Sequence, residues 1–230
     1  MALVIAHRGA SATHPENTVE AFRAAAEQGA DWVELDVRRA ACGALVVHHD
    51  AHLADGRLIG DHRADDLPSA VPSLAEALEA CGSMGVNIEV KNMQGDPDYD
   101  DENVLVDAVV GVSRAYLELD RVLLSSFNMD AMDKVRSIDT EVPAAWITME
   151  IIDAGQAVER ALAHGLQAIN PYFGLVTSTL VEKAHAAGLK VFPWTVDDPE
   201  EAHRLLDAGV DGIVSNVPAT LREIVDDYRE

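Results

Sequence analysis

The chain has 230 residues, and 17 Lys plus Arg against 40 Asp plus Glu give it a formal net charge of −23. An excess of that size excludes nucleic acid, whose affinity rests on cations that neutralise phosphates, and it opposes stable association with an anionic membrane surface. With 48% hydrophobic residues the chain can bury a sizeable core, and its length fits one domain over residues 1–230. There is no apolar run of about 18 residues to span a bilayer. The chain opens Met-Ala-Leu-Val-Ile-Ala and reaches His7-Arg8 at once, so no signal peptide is expected. The two cysteines, Cys42 and Cys81, lack CxxC spacing, which points to a reducing, cytoplasmic compartment.

In chain order, short apolar runs predict strands near Leu3–Ala6, Trp32–Val37, Val86–Lys91, Val122–Ser126, Ala144–Ile147, Ala168–Asn170, Lys190–Trp194 and Gly212–Ser215. Amphipathic stretches predict helices around Thr18–Gln28, Ser73–Ala80, Val104–Leu117, Asp130–Ser137, Ala154–His164, Ser178–Ala187, Pro199–Ala208 and Ala219–Tyr228. One phrase recurs: an Ala-rich helix, a glycine, then an apolar run. It ends at Gly29, Gly165, Gly188 and Gly209. Each glycine stops its helix by taking a left-handed conformation that other residues resist, and the run after it is too short for a helix. Eight alternating units imply parallel pairing with right-handed crossovers and a (β/α)8 TIM barrel. An open doubly wound sheet is the alternative, but no GxGxxG follows the first strand. A loop insertion runs from Arg38 to Pro72 after the second strand, with Leu45–His48 as a short extra strand.

In such a barrel the active site lies at the C-terminal strand ends, and the polar residues cluster there. The first strand runs into His7-Arg8-Gly9, the second carries Glu34-Leu35-Asp36 and the third Glu89-Val90-Lys91. Side chains at i and i+2 share a strand face. Pointed inward, Glu34, Asp36 and Glu89 would converge and repel one another, and a hard divalent cation such as Mg²⁺ or Ca²⁺ would resolve this. His7 and one histidine of the His48-His49-Asp50 run suit general acid–base work, with Asp50 able to fix an imidazole tautomer. Proximity alone does not choose between His48 and His49. His52, His62, His164, His185 and His203 read as surface residues. Arg8 and Lys91 suit a phosphate. Trp194, at the end of the seventh strand, either lines the pocket or packs the barrel mouth. Glu16 and Asn17 either bond to loops around the site or serve to cap the first helix, where Asn17 or Thr18 is the candidate N-cap.

His7-Arg8-Gly9, Pro15-Glu16-Asn17-Thr18, Glu34-Leu35-Asp36-Val37, Val47-His48-His49-Asp50 and Glu89-Val90-Lys91 resemble the motif series of the glycerophosphodiester phosphodiesterases. Fainter agreement continues to Asp211-Gly212-Ile213-Val214. The resemblance implies a (β/α)8 barrel that hydrolyses glycerophosphodiesters to an alcohol and sn-glycerol 3-phosphate. It implies Glu34, Asp36 and Glu89 as ligands of a divalent cation, Mg²⁺ or Ca²⁺, and His7 and His49 as the catalytic pair, with Arg8 and Lys91 on the phosphodiester. The choice of His49 follows from the family's histidine, which directly precedes an Asp. The chain departs from the family at Ala40-Ala41-Cys42-Gly43, in the loop after Asp50, and at Asn216, where the family often has Asp. Two readings stand against this one: a barrel glycosidase using paired carboxylates, which leaves both histidines idle, and a barrel that binds phosphorylated metabolites without turnover.

Overall fold

The computed structural model, which describes residues 2–228, turns the repeated helix–glycine–strand phrase into a ring of parallel strands. The elements are β1 (Leu3–His7), α1 (Val19–Glu27), β2 (Trp32–Arg39), β3 (Leu45–Val47), α2 (Leu74–Cys81), β4 (Gly85–Val90), α3 (Val104–Tyr116), β5 (Val122–Ser126) and α4 (Met129–Ile138). They continue with β6 (Ala144–Thr148), α5 (Ala154–Ala163), β7 (Ala168–Pro171), α6 (Ser178–Ala186), β8 (Lys190–Val191), α7 (Pro199–Ala208), β9 (Gly212–Ser215) and α8 (Pro218–Asp227). The ladder runs β8-β7-β6-β5-β4-β2-β1-β9. Backbone bonds from Asp211 N to Val191 O (3.1 Å), Val214 N to Pro193 O (2.9 Å) and Val196 N to Val214 O (2.9 Å) bring the two ends of the ladder together. The result is the expected (β/α)8 barrel. The extra strand is also present: β3 pairs antiparallel with the end of β2.

The four glycines of the recurring phrase all have positive φ, at 79° (Gly29), 65° (Gly165), 76° (Gly188) and 83° (Gly209). The seventh barrel strand is shorter than its apolar run predicts. Pro193 has no N–H to give to a ladder, so regular pairing stops at Val191, while Phe192 and Trp194 still donate to Ile169 and Pro171.

Period-2 alternation sorts the side chains. Val33, Leu35 and Val37 of β2, with Val86, Ile88 and Val90 of β4, join the main core between sheet and helices. Inside the barrel, Ile5, Leu123, Ala145, Ala168, Phe192 and Val214 form a small apolar plug toward its base. Above it the inward positions of β2 and β4 are polar. A third cluster of Ala40, Val46, Leu53 and Ile59 anchors the insertion.

The turn from β1 to α1 is tight. Gly9 has φ +82°, and a Cβ there would stand 2.6 Å from the Ala21 carbonyl carbon. This close approach sets the first turn of α1, and the residues before it, beside the strand ends. Gly9→Ala is expected to cost about 1–3 kcal/mol or more through the strained backbone, a fall of roughly 2–12 °C in Tm for a chain of this size. Calorimetry checks it, and an unchanged Tm would mean that the turn accepts a side chain.

Candidate active site

Register brings the strand-end residues together. His7 lies opposite Glu34, Glu34 opposite Asn87 and Asp36 opposite Glu89. Carboxylate oxygens of Glu34, Asp36 and Glu89 all lie within 4.8 Å of one another. These three residues are 4%, 0% and 8% exposed, a depth at which like charges repel strongly. The chain counters this with two cations. Lys91 Nζ donates to Glu89 Oε1 at 2.8 Å and lies 3.5 Å from Asp36 Oδ1, while Arg8 Nε lies 3.2 Å from Asp36 Oδ2. Asn17 donates from Nδ2 to Asp36 Oδ2 at 2.7 Å.

Backbone geometry assists. Arg8 has φ 56°, and this left-handed turn aims its N–H at both the backbone oxygen and the Oε2 of Glu34, at 2.9 and 3.1 Å. Asn17, also left-handed at φ 58°, faces Asp36 with both ends of its amide, since its Oδ1 accepts from Asp36 N at 3.3 Å. Thr18 is the N-cap, with Oγ1 accepting from Ala21 N, so capping falls to Thr18 alone. Glu16 takes Arg8 Nη1 at 2.9 Å.

The three carboxyls do not titrate alike. Burial, then the charges of Asp36 and Glu89, push Glu34 well above the usual carboxylate range. Burial also raises Glu89, more than Lys91 lowers it. Burial acts in the same direction on Asp36, but Lys91, Arg8 and His49 outweigh it and hold that carboxyl below its ordinary value. Arg8 and Lys91 do not balance the carboxylates around them, since Glu16 also pairs with Arg8, and this excess of negative charge acts with burial to raise Glu34. Asp36 Oδ1 is buried without a hydrogen-bond partner. A cluster of buried oxygen donors, one of them with no hydrogen bond, fits a hard divalent cation.

Both catalytic candidates face the same space. His7 Nε2 lies 3.9 Å from Glu34 Oε2, and its Nδ1–H donates to Asn216 Oδ1 at 2.7 Å. His49 Nδ1–H donates to Asp50 Oδ1 at 2.7 Å. Burial lowers His7, with the Arg8 charge adding to it. Burial also lowers His49, and the opposite pull of Asp36 does not restore it. His48 bonds through Nδ1 to the Asp50 carbonyl oxygen at 2.8 Å and lines the cavity as well, whereas the His49 ring bonds to the Asp50 carboxylate.

The cavity encloses about 780 Å³, a volume ordinary for a small-molecule site. Its inner wall includes Asn87, Ile147, Asn170, Val214, Phe127 and Trp194. Trp194 does both things the sequence left open: it lines the cavity, stands edge-on to Phe127 with ring centroids 5.5 Å apart, and donates from Nε1 to Asn170 O at 2.8 Å. His52 is exposed, as expected, yet it lies on the cavity rim.

Two of the contacts in the site escaped sequence reasoning. Arg38, 3% exposed, donates from Nε to His49 O at 2.8 Å and is clamped by Asp98 at 2.7 and 2.8 Å and by Asp96 at 3.1 Å. The signal was present, since Arg38 continues the inward face of Glu34 and Asp36. The contact of Asn216 with His7 spans 209 positions and left no local signal.

A glycerophosphoryl diester phosphodiesterase family model matches residues 7–220. A glycerophosphodiester phosphodiesterase of Caldanaerobacter subterraneus subsp. tengcongensis is 33% identical over 97% of both chains. Among solved structures, a phosphodiesterase from Oleispira antarctica in complex with the product sn-glycerol-3-phosphate superimposes with TM-score 0.86 at 30% identity, covering 96% of both chains. A glycerophosphodiester phosphodiesterase from Thermotoga maritima does so with TM-score 0.83 at 25% identity, covering 97% of this chain and 99% of the other.

A carboxyl raised by burial favours the folded state while it is protonated, and that contribution is lost as pH rises through its folded value. Glu34→Gln keeps the neutral shape at every pH. The variant is expected to have a higher Tm than the wild type in chelator at pH 8. It should also lose most of the metal-induced rise, which for the wild type at about 100 times Kd is worth about 2.7 kcal/mol. Thermal scans with EDTA and with Mg²⁺ measure both, and a Glu34→Gln protein less stable than wild type in EDTA would contradict the account of crowded charge.

Proposed function

The chain belongs to the glycerophosphoryl diester phosphodiesterase family, and from that premise we propose that it hydrolyses glycerophosphodiesters to an alcohol and sn-glycerol 3-phosphate at the β1–β2–β4 mouth of the barrel. One observation carries the reading: Glu34, Glu89 and two histidines, each with its Nδ1–H bonded, line one cavity, and Asp36 is buried beside the two carboxyls, its oxygens within 4.8 Å of theirs. A glycosidase would set its carboxyls on either side of a substrate and would leave those histidines idle.

Glu34, Asp36 and Glu89 would hold a divalent cation, Mg²⁺ or Ca²⁺, which would supply charge neutralisation at the phosphate and acidity at the attacking oxygen. Arg8 and Lys91 supply the further positive charge that holds a phosphodiester, Arg by a fork and Lys as a point charge. His7 and His49 move the protons. One histidine takes the proton of the attacking oxygen at Nε2 as the new P–O bond forms. The other gives a proton to the alcohol oxygen as the old P–O bond breaks. Both are unprotonated near neutrality by the effects of burial, so the acid of the pair gains its proton as the anionic substrate approaches. Asp50 keeps the His49 tautomer, and its own carboxyl, held low by that hydrogen bond, stays ionised.

On the inner wall, Asn87 and Asn170 are 3% and 2% exposed, and their Oδ1 atoms have no hydrogen-bond partner. They are acceptors for the hydroxyls of a glycerol end, with Trp194 as the apolar side of that subsite. Among the described residues no helix is long and apolar enough to cross a membrane. The free thiols of Cys42 and Cys81 and the acidic surface support a cytoplasmic enzyme acting on a small dissolved diester.

His7→Ala and His49→Ala are each expected to lower kcat by roughly 10²–10⁴, and EDTA should abolish turnover that Mg²⁺ or Ca²⁺ restores. A panel of glycerophosphodiesters read by coupled detection of glycerol 3-phosphate checks this. Either histidine variant within twofold of wild type would sink the two-histidine mechanism, and activity indifferent to EDTA would sink the metal assignment.

A further inference from the structure

His7 is held from the far end of the chain. Its Nδ1–H donates to Asn216 Oδ1 at 2.7 Å, just past the end of β9. Asn216 is itself held by Asp197, in the segment between β8 and α7: its side-chain Nδ2 donates to Asp197 Oδ2 at 2.6 Å and its backbone N to Oδ1 at 2.8 Å. Ser215 Oγ donates to the same Oδ1 at 3.0 Å. Ser11 Oγ lies 2.8 Å from Asn216 Oδ1.

An amide has one donating and one accepting end, and a carboxylate only accepts. Asp197 therefore takes the NH₂ end of Asn216 and turns its oxygen toward His7. That oxygen in turn accepts only, so the proton of a neutral His7 stands on Nδ1 and the lone pair of Nε2 faces the cavity. We propose that Asp197 and Asn216 are a positioning relay that fixes the tautomer and ring orientation of His7 in this chain. The relay rests on the proton-transfer role given to His7 above, but its tautomer is measurable without turnover.

The relay also gives the amide at 216 a reason. With Asp197 in place, a second carboxylate at 216 would meet it across the 2.6 Å contact, and the two would repel or share a proton. Asp197→Asn alone fails differently, because its new NH₂ group must face either Asn216 Nδ2 or the donors at Ser215 Oγ and Asn216 N. Exchanging both residues repairs the pattern. In Asp197→Asn/Asn216→Asp, the amide at 197 donates to the carboxylate at 216, which still accepts from His7 Nδ1–H.

The test is a double-mutant cycle in Mg²⁺-loaded protein. Asn216→Asp and Asp197→Asn should each lower kcat roughly 10–100-fold, the usual worth of an outer partner of a site histidine, with KM changed less than about threefold because substrate contacts are untouched. The double exchange should recover to within about fivefold of wild type. In ¹⁵N-histidine spectra, with the His7 signal assigned by its absence in His7→Gln, the wild type and the double exchange should carry the proton on Nδ1. Each single variant should show a mixture or the Nε2–H form. A wild-type His7 protonated on Nε2 would overturn the relay. So would single variants at wild-type kcat when His7→Gln has lost activity, or a double exchange no better than the product of the singles. Turnover retained in His7→Gln would instead refute the role of His7 itself, and the spectra would then decide the relay alone.

Discussion

The rest of this molecule is arranged around the burial of three carboxylates at one barrel mouth. Glu34, Asp36 and Glu89 meet because β2 and β4 are neighbours in register and because alternate strand positions face inward. Left alone, such a cluster would unfold the strand ends or remain protonated. Arg8 and Lys91 lower its charge, the left-handed backbone at Arg8 turns an N–H onto Glu34, and Asn17 closes on Asp36 from the start of α1. These cations leave the mouth short of positive charge, the more so because Glu16 also pairs with Arg8, and a divalent cation would shift its sign toward positive.

This local sign resolves an apparent conflict with the global one. A net charge of −23 acts at long range through water and salt, where it is screened beyond about a Debye length. A small anion would be held at contact distance, in a cavity lined by Arg8 and Lys91 to whose charge a bound cation would add. The same acidic surface still repels large polyanions, which cannot confine their charge to the mouth. The two histidines sit where these scales meet: burial keeps them neutral, and each has its Nδ1–H anchored to an oxygen, one in Asn216 and the other in Asp50. The anchoring differs in kind, since Asp50 is the next residue along the chain while Asn216 comes from the far end of the chain, just past the strand that pairs with β1.

Much of the site was legible from local pattern. An i, i+2 spacing at a strand end fixes a shared face whatever the fold around it, which is why Glu34 with Asp36 and Glu89 with Lys91 could be paired in advance. The same rule, carried one step further, reaches Arg38, whose guanidinium holds His49 by its backbone oxygen. Other features needed the fold. The β8 run looked like a full strand, but Pro193 withholds the N–H that regular pairing requires. His52 read as a surface residue and does lie at the surface, yet the insertion folds it onto the rim of the cavity. Glu16 and Asn17 could as well have been capping residues, and it is their bonds to Arg8 and Asp36, made only in the folded barrel, that turn them toward the strand ends.

The sequence by itself determined the eight alternating units, the glycines that stop helices with positive φ, the inward faces of the first strands and the family to which their motifs point. These are properties of neighbours along the chain, governed by backbone sterics and side-chain period. Only the tertiary structure decided which distant groups meet: Asp197 and Asn216 at His7, Trp194 against Phe127 and over Asn170, and the clamp of Asp96 and Asp98 on Arg38. Pairing the first strand with the last joins residues more than two hundred positions apart, and hydrogen bonds made across that pairing leave no periodicity behind in the chain that makes them.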